Sequence, residues 1–149
     1  MLRAWVSIGI LAGMIGCGGA DASKALPKTV PATGVVTLDG NPLSNATLTF
    51  IPVGATQGIE CFGATGEKGE FKMKQLRGQD GAPPGEYKVV ISRYVKSDGK
   101  PIVLGGDQLP ANVGASESLP ARYSAPQASK LSAVVPPTGG EFKFDLKSR

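Results

Sequence analysis

The sequence predicts an all-β domain built as a sandwich of about seven short strands, and three observations carry that prediction. Glycine (21 residues) and proline (12) together make up 33 of the 149 residues, the composition of a chain that turns often between short apolar runs. The longest strand-like run, from Glu86 to Val95, puts Tyr87, Val89 and Ile91 on one side and Glu86, Lys88 and Ser92 on the other, the period of two of a half-buried strand. Val90 and Tyr94 break the polar side, so that face is expected to be partly covered as well. Turn signals recur at the spacing of a β-sandwich. A hydrophobic content of 41% argues against a disordered chain, and 149 residues suffice for one domain with a core.

The N-terminus comes first in the chain and reads as an address. Met1-Leu-Arg3 is a short basic start, and Ala4 to Ile15 is apolar except for Ser7. A spanning helix needs about 20 apolar residues, so this run fits the core of a secretory signal instead. Met14-Ile15-Gly16-Cys17 follows. It resembles the lipobox of bacterial lipoproteins, in which a small residue precedes an obligatory cysteine. The resemblance implies removal of residues 1–16 by cleavage after Gly16, lipidation of Cys17, and a stable hold on the membrane through several acyl chains. Residue 18 is Gly and not Asp, which leans towards an outer-membrane address within a cell envelope. Residues 17–32 are rich in small residues and proline and read as a flexible tether. The domain then runs over 33–149.

Within the domain, Gly34–Leu38 is the first expected strand, and Asp39-Gly40-Asn41 is a tight turn. Thr47–Ile51 follows, with Leu48 and Phe50 on one face and Thr47 and Thr49 on the other, and Pro52 ends it. A third strand is expected from Ile59 to Ala64. Thr65-Gly-Glu-Lys-Gly69 turns into Glu70–Lys74, where Phe71 and Met73 point in and Glu70, Lys72 and Lys74 point out. Gly81-Ala-Pro-Pro-Gly85 leads to the central strand at Glu86–Val95. Lys130–Val135 and Glu141–Lys147 form the final pair, with Phe142, Phe144 and Leu146 inward.

The stretches Gly34–Ala46, Thr65–Phe71 and Pro84–Ile91, taken in this order with Phe50 between, resemble the carboxypeptidase regulatory-like, or transthyretin-like, module. That resemblance implies a seven-stranded Greek-key sandwich. Its enzymatic relatives do not carry over. Metallocarboxypeptidases and hydroxyisourate hydrolases depend on histidine, and this chain has none. The absence also removes Ser-His-Asp and Cys-His catalysis and the commonest zinc sites. A Lys–Asn isopeptide bond between first and last strands is not expected, because Gly34–Leu38 lacks Lys and the last strand offers Asp145 without Asn.

What chemistry remains is thin. Cys61, beside Phe62 in a strand-like run, is expected in the core, although a lone thiol in an oxidising compartment is a candidate nucleophile. Glu70, Glu86 and Asp145 are the carboxylates an enzyme would have to bring together, yet they alternate outward. Asp98, Asp107 and Glu117 are candidate calcium ligands without a compact loop motif. The net charge of +4 is scattered, with no basic run beyond Lys72, Lys74 and Arg77, which disfavours nucleic acid. Ser97–Ser129 is a long proline-containing loop and the first place to seek a ligand. Within it, Leu119–Ser124 is expected to form a helical turn packing Leu119 and Tyr123 on the sandwich. The function expected is a non-enzymatic, lipid-anchored envelope module that scaffolds or binds a protein or carbohydrate partner. No cofactor and no metal are expected, and the alternatives are a hydrolase-like enzyme using carboxylates or Cys61, or a purely structural envelope protein.

Overall fold

The computed structural model describes residues 27–75, 78–105 and 107–149. Gly16, Cys17 and the rest of 1–26, and with them the signal and most of the tether, lie outside the described residues. The last residues of the stretch expected as a tether, 17–32, are held by backbone hydrogen bonds. Val30 exchanges backbone hydrogen bonds with Ala82, and the Pro31 carbonyl accepts from the Gly140 amide, so both residues belong to the folded body.

The fold is all-β. Among the described residues twelve strand segments appear where seven strands were expected: β1 Ala32–Leu38, β2 Asn41–Pro42, β3 Thr47–Pro52, β4 Cys61–Ala64, β5 Glu70–Lys72, β6 Lys74–Gln75, β7 Gly85–Ser92, β8 Tyr94–Lys96, β9 Pro101–Ile102, β10 Ala115–Glu117, β11 Leu131–Val135 and β12 Gly140–Leu146. One sheet has the order β12-β1-β2, with β5 also paired to β1. A second runs β11-β7-β3-β4-β6, and a small third runs β10-β8-β9. Most pairs are antiparallel, but the first and last long strands, β1 and β12, run parallel in continuous register from Ala32↔Gly140 to Leu38↔Leu146.

The core lies between the first two sheets, where period-two alternation buries every second residue. Val36, Phe71, Phe144 and Leu146 come from one sheet; Leu48, Phe50, Tyr87, Val89, Ile91 and Val135 come from the other. Phe50 sits at the centre, 5.6 Å from the Tyr87 ring and edge-on to Phe142 at 5.7 Å and Phe144 at 6.4 Å. These are the offsets that aromatic quadrupoles favour. Tyr87 keeps its hydroxyl satisfied by donating to the Pro83 carbonyl at 2.7 Å.

Two of the five extra segments come from breaks in expected strands. At Met73 the expected strand changes sheets: β5 pairs with β1 and β6 pairs with β4. Met73, 1% exposed, holds the corner by donating to the Ala32 carbonyl and accepting from the Gly81 amide. A strand that switches sheets in this way closes one side of a sandwich. At Arg93 the central strand is interrupted. The Arg93 amide donates to the Glu117 carboxylate at 2.9 Å, and its carbonyl accepts from both the amide and the hydroxyl of Ser118.

The two-residue turn between β1 and β2 places its positive φ angles on Asp39 (50°) and Gly40 (84°), not on Asn41. This is the geometry that matches the twist of a hairpin.

The long segment after the central strand is more ordered than its prolines suggested. It contains β9, a 3-10 turn Pro110–Val113, β10 and the helical turn α1 Ala121–Ser124. As expected, Leu119 joins the core and Tyr123 packs against it. The Tyr123 hydroxyl accepts from the Lys147 amide, and Arg122 donates to the Lys147 carbonyl at 2.7 Å. The turn thereby clamps the end of β12.

Candidate functional site

The outer surface carries a groove of about 1130 Å³, centred on the side closed by the β5–β6 crossover. Alternation explains its lining. Two of the β1 side chains that do not enter the core, Thr33 and Val35, are short and form a low floor. Lys72 and Glu141 rise on either side of Thr33, because Thr33 is in register with both. Glu70 stands next to Val35 in the same way. Across the crossover, the outward face of β3 and β4 contributes Thr47, Thr49, Phe62 and Ala64, and Val103 and Leu104 wall the groove from the segment after β9.

Charge is distributed unevenly along this surface. Lys74 pairs with Asp80 at 3.5 Å, and Lys143 pairs with Asp145 at 3.4 Å. Glu70 turns back to accept from the Lys68 amide at 2.9 Å. Among the described residues Lys72 and Glu141 make no ion pair. Their strands are separated by β1, so their attachment points stand about 10 Å apart. At the lower end, Gln75 also lines the groove. It is 2% exposed, and neither its amide nitrogen nor its amide oxygen has a hydrogen-bond partner among the described residues.

The residues singled out for chemistry in the sequence do not come together. Cys61 is fully buried in the core, and burial pushes its thiol up to about 11. Asp145 is tied down on the outer face of β12, where the Thr37 hydroxyl donates to it at 2.6 Å. That bond, followed by Lys143, holds its carboxyl below the usual range. Glu86 is exposed on the outer face of β7. Glu117 serves the backbone, accepting from the Arg93 and Leu119 amides, while Asp98 accepts from the Lys100 amide and pairs with its ammonium at 3.6 Å. Asp107 is exposed. Among the described residues no three His, Cys, Asp or Glu side chains gather as metal ligands, and no helix is long and apolar enough to cross a membrane.

Sequence reasoning directed attention to the 97–129 segment, of which Val103 and Leu104 do line the groove. It missed Thr33, Val35, Phe62 and Gln75. One signal was present: Val90, an apolar residue on the outward face of the central strand. Val90 is 6% exposed and lies in a row with Thr49 and Phe62, so that outer face is covered as its sequence implied.

Among solved structures, the chain is similar to the crystal structure of a 9R-lipoxygenase from Cyanothece PCC8801, with 16% sequence identity and a TM-score of 0.33. The alignment covers 80% of this chain but only 16% of that enzyme, and a likeness of that size does not define a shared fold. No family model and no curated protein matches the chain.

Proposed function

We propose that the chain is a lipid-anchored, non-enzymatic binding module of a bacterial cell envelope, held by acyl chains on Cys17 and presenting its outer groove to a protein or carbohydrate partner. The observation that carries this reading is the groove itself. It is roomy enough for a ligand, it combines apolar side chains with hydroxyls and with two charges of opposite sign that make no ion pair among the described residues, and Cys61, Glu86 and Asp145 do not line it. The Met14-Ile15-Gly16-Cys17 motif supports the anchor. Pro27 packs near Gly58 and Pro83, so the tether enters at the end of the domain where β1 and β12 start, and both strands run away from it. The seven-stranded Greek-key reading belongs to the same proposal: the twelve segments reduce to seven runs when the breaks at Met73 and Arg93 are bridged and the short β2, β9 and β10 are set aside.

The test is binding of arrayed oligosaccharides and peptides to the chain, repeated with Phe62→Lys, which changes the groove from a half-buried position on β4. The reading expects a binder that the substitution weakens. Failure of every probe to bind would favour a purely structural envelope protein, and turnover of a hydrolase substrate by the pure chain would remove the non-enzymatic part.

A further inference from the structure

We infer that the occupant of the groove is an extended polypeptide segment. It places a basic side chain on Glu141, an acidic side chain on Lys72 and an apolar side chain beyond them over Phe62. The inference rests on the binding-module reading above and specifies its ligand class.

The order of the strands sets the order of these contacts. Glu141 on β12, Thr33 on β1 and Lys72 on β5 form one row across the first sheet. Lys72 in turn abuts β4, where its carbonyl lies 3.0 Å from the position a side chain on Gly63 would take. A ligand crossing the strands therefore meets Glu141, passes over the short Thr33, meets Lys72 and arrives at Phe62 and the half-exposed Val103. The two charges are separated by about 10 Å, which about three residues of extended chain span.

Charge complementarity selects the ligand. A polyanion would be attracted by Lys72 but repelled by Glu70 and Glu141. A neutral oligosaccharide would hydrogen-bond Lys72 and Glu141 without using their opposite charges and would gain little from Phe62, Val103 and Leu104 beyond one stacking face. A polypeptide of mixed charge supplies both signs at the required spacing and apolar side chains between hydrogen-bonding groups. The arrangement favours register and orientation more than raw affinity, as charged contacts at an interface generally do.

The experiment uses the full-length chain in detergent micelles. It is panned against a displayed library of random short peptides and, in parallel, against neutral oligosaccharides. The same is done with Lys72→Glu, Glu141→Lys and the double variant; both side chains are exposed, and circular dichroism checks that each variant folds. Selected peptides are expected to carry a basic and an acidic residue two or four positions apart, because alternate residues of an extended chain share a face, and each single reversal is expected to weaken them roughly tenfold. The double variant is expected to select peptides with the two charges in the opposite order. Peptide affinities that ignore the reversals would overturn the inference. So would oligosaccharide binding unaffected by them, or self-association of the chain through this face, although both would leave a binding module standing. No binder in either library would overturn the inference and the binding reading together.

Discussion

Gln75 is buried and its amide finds no hydrogen-bond partner among the described residues. A primary amide buried without a partner forfeits its water contacts and regains nothing, a penalty of about 1–3 kcal/mol. Gln75→Leu keeps the length of the side chain and removes both polar atoms. It is expected to raise stability by about 1 kcal/mol, read as a higher midpoint in urea or thermal unfolding. A loss of stability would mean that the amide is satisfied in solution. Cys61 illustrates the opposite case, a residue well suited to its site. Its ordinary value of 9.0 is raised to about 11 by burial, so the folded state holds its proton more firmly than the unfolded state. Cys61 therefore stabilises the fold below about pH 9, and that contribution drains away as pH rises through the folded value. Native protein is expected to resist iodoacetamide at neutral pH and to react at one site per chain once unfolded, provided Cys17 is acylated. Rapid alkylation of the folded chain would contradict the burial. Cys61 was legible because a free cysteine beside Phe62 in a strand-like run is a residue type that cores take up. Gln75 was not, because its burial arises from the change of sheet at Met73, and nothing in the local pattern of Lys74 and Gln75 announces that change.

At the level of elements, β1 is the strand on which the site depends. It supplies the groove floor with one face and part of the core with the other, and it has strands on both sides. Gly34 is where that crowding is greatest. A side-chain carbon there would land on the Phe142 carbonyl oxygen and 2.8 Å from the Phe71 ring, so the obstacle on one side is backbone that cannot step aside. Gly34→Ala is expected to destabilise by about 3 kcal/mol, within the range for overpacking at a buried site. A thermal melt unchanged from wild type would show that β1 and β12 are less closely joined than their register indicates. Each of the seven expected strands coincides with an observed strand over part of its length, and where apolar residues alternate, as in Thr47–Ile51 and Glu70–Lys74, burying one face of a pleated ribbon dictates that pattern. The break at Met73 was not legible, because alternation continues straight through it, whereas at Arg93 a charged residue falls on the face of Tyr87, Val89 and Ile91 and marks the interruption. The partners that hold the two breaks are Ala32 and Gly81 for one, Glu117 and Ser118 for the other. The helical turn at Ala121–Ser124 was legible from Leu119 and Tyr123, which are spaced to meet one apolar surface.

For the molecule as a whole, composition alone pointed to β-structure, and the missing histidine limited the chemistry. The groove was not legible as a unit. It draws on β1, β3, β4, β5, β6, β12 and the segment after β9, and only the closure of the sandwich by the crossover brings these together. The same closure sets Lys72 and Glu141 on either side of a floor too low to separate them from a ligand. In the proposed arrangement the acyl anchor lies at the end where β1 begins, and the ribbon of β8, β9 and β10 follows the far end of β7. The groove then lies along the flank of a domain held off the membrane. The anchor is the premise of that arrangement, and the intact mass of the chain drawn from membranes of its native host, beside a Cys17→Ser variant, tests it most directly. The account predicts a mass equal to residues 17–149 plus acyl chains, lost in the variant. An unacylated chain, or one that still carries residues 1–16, would contradict it.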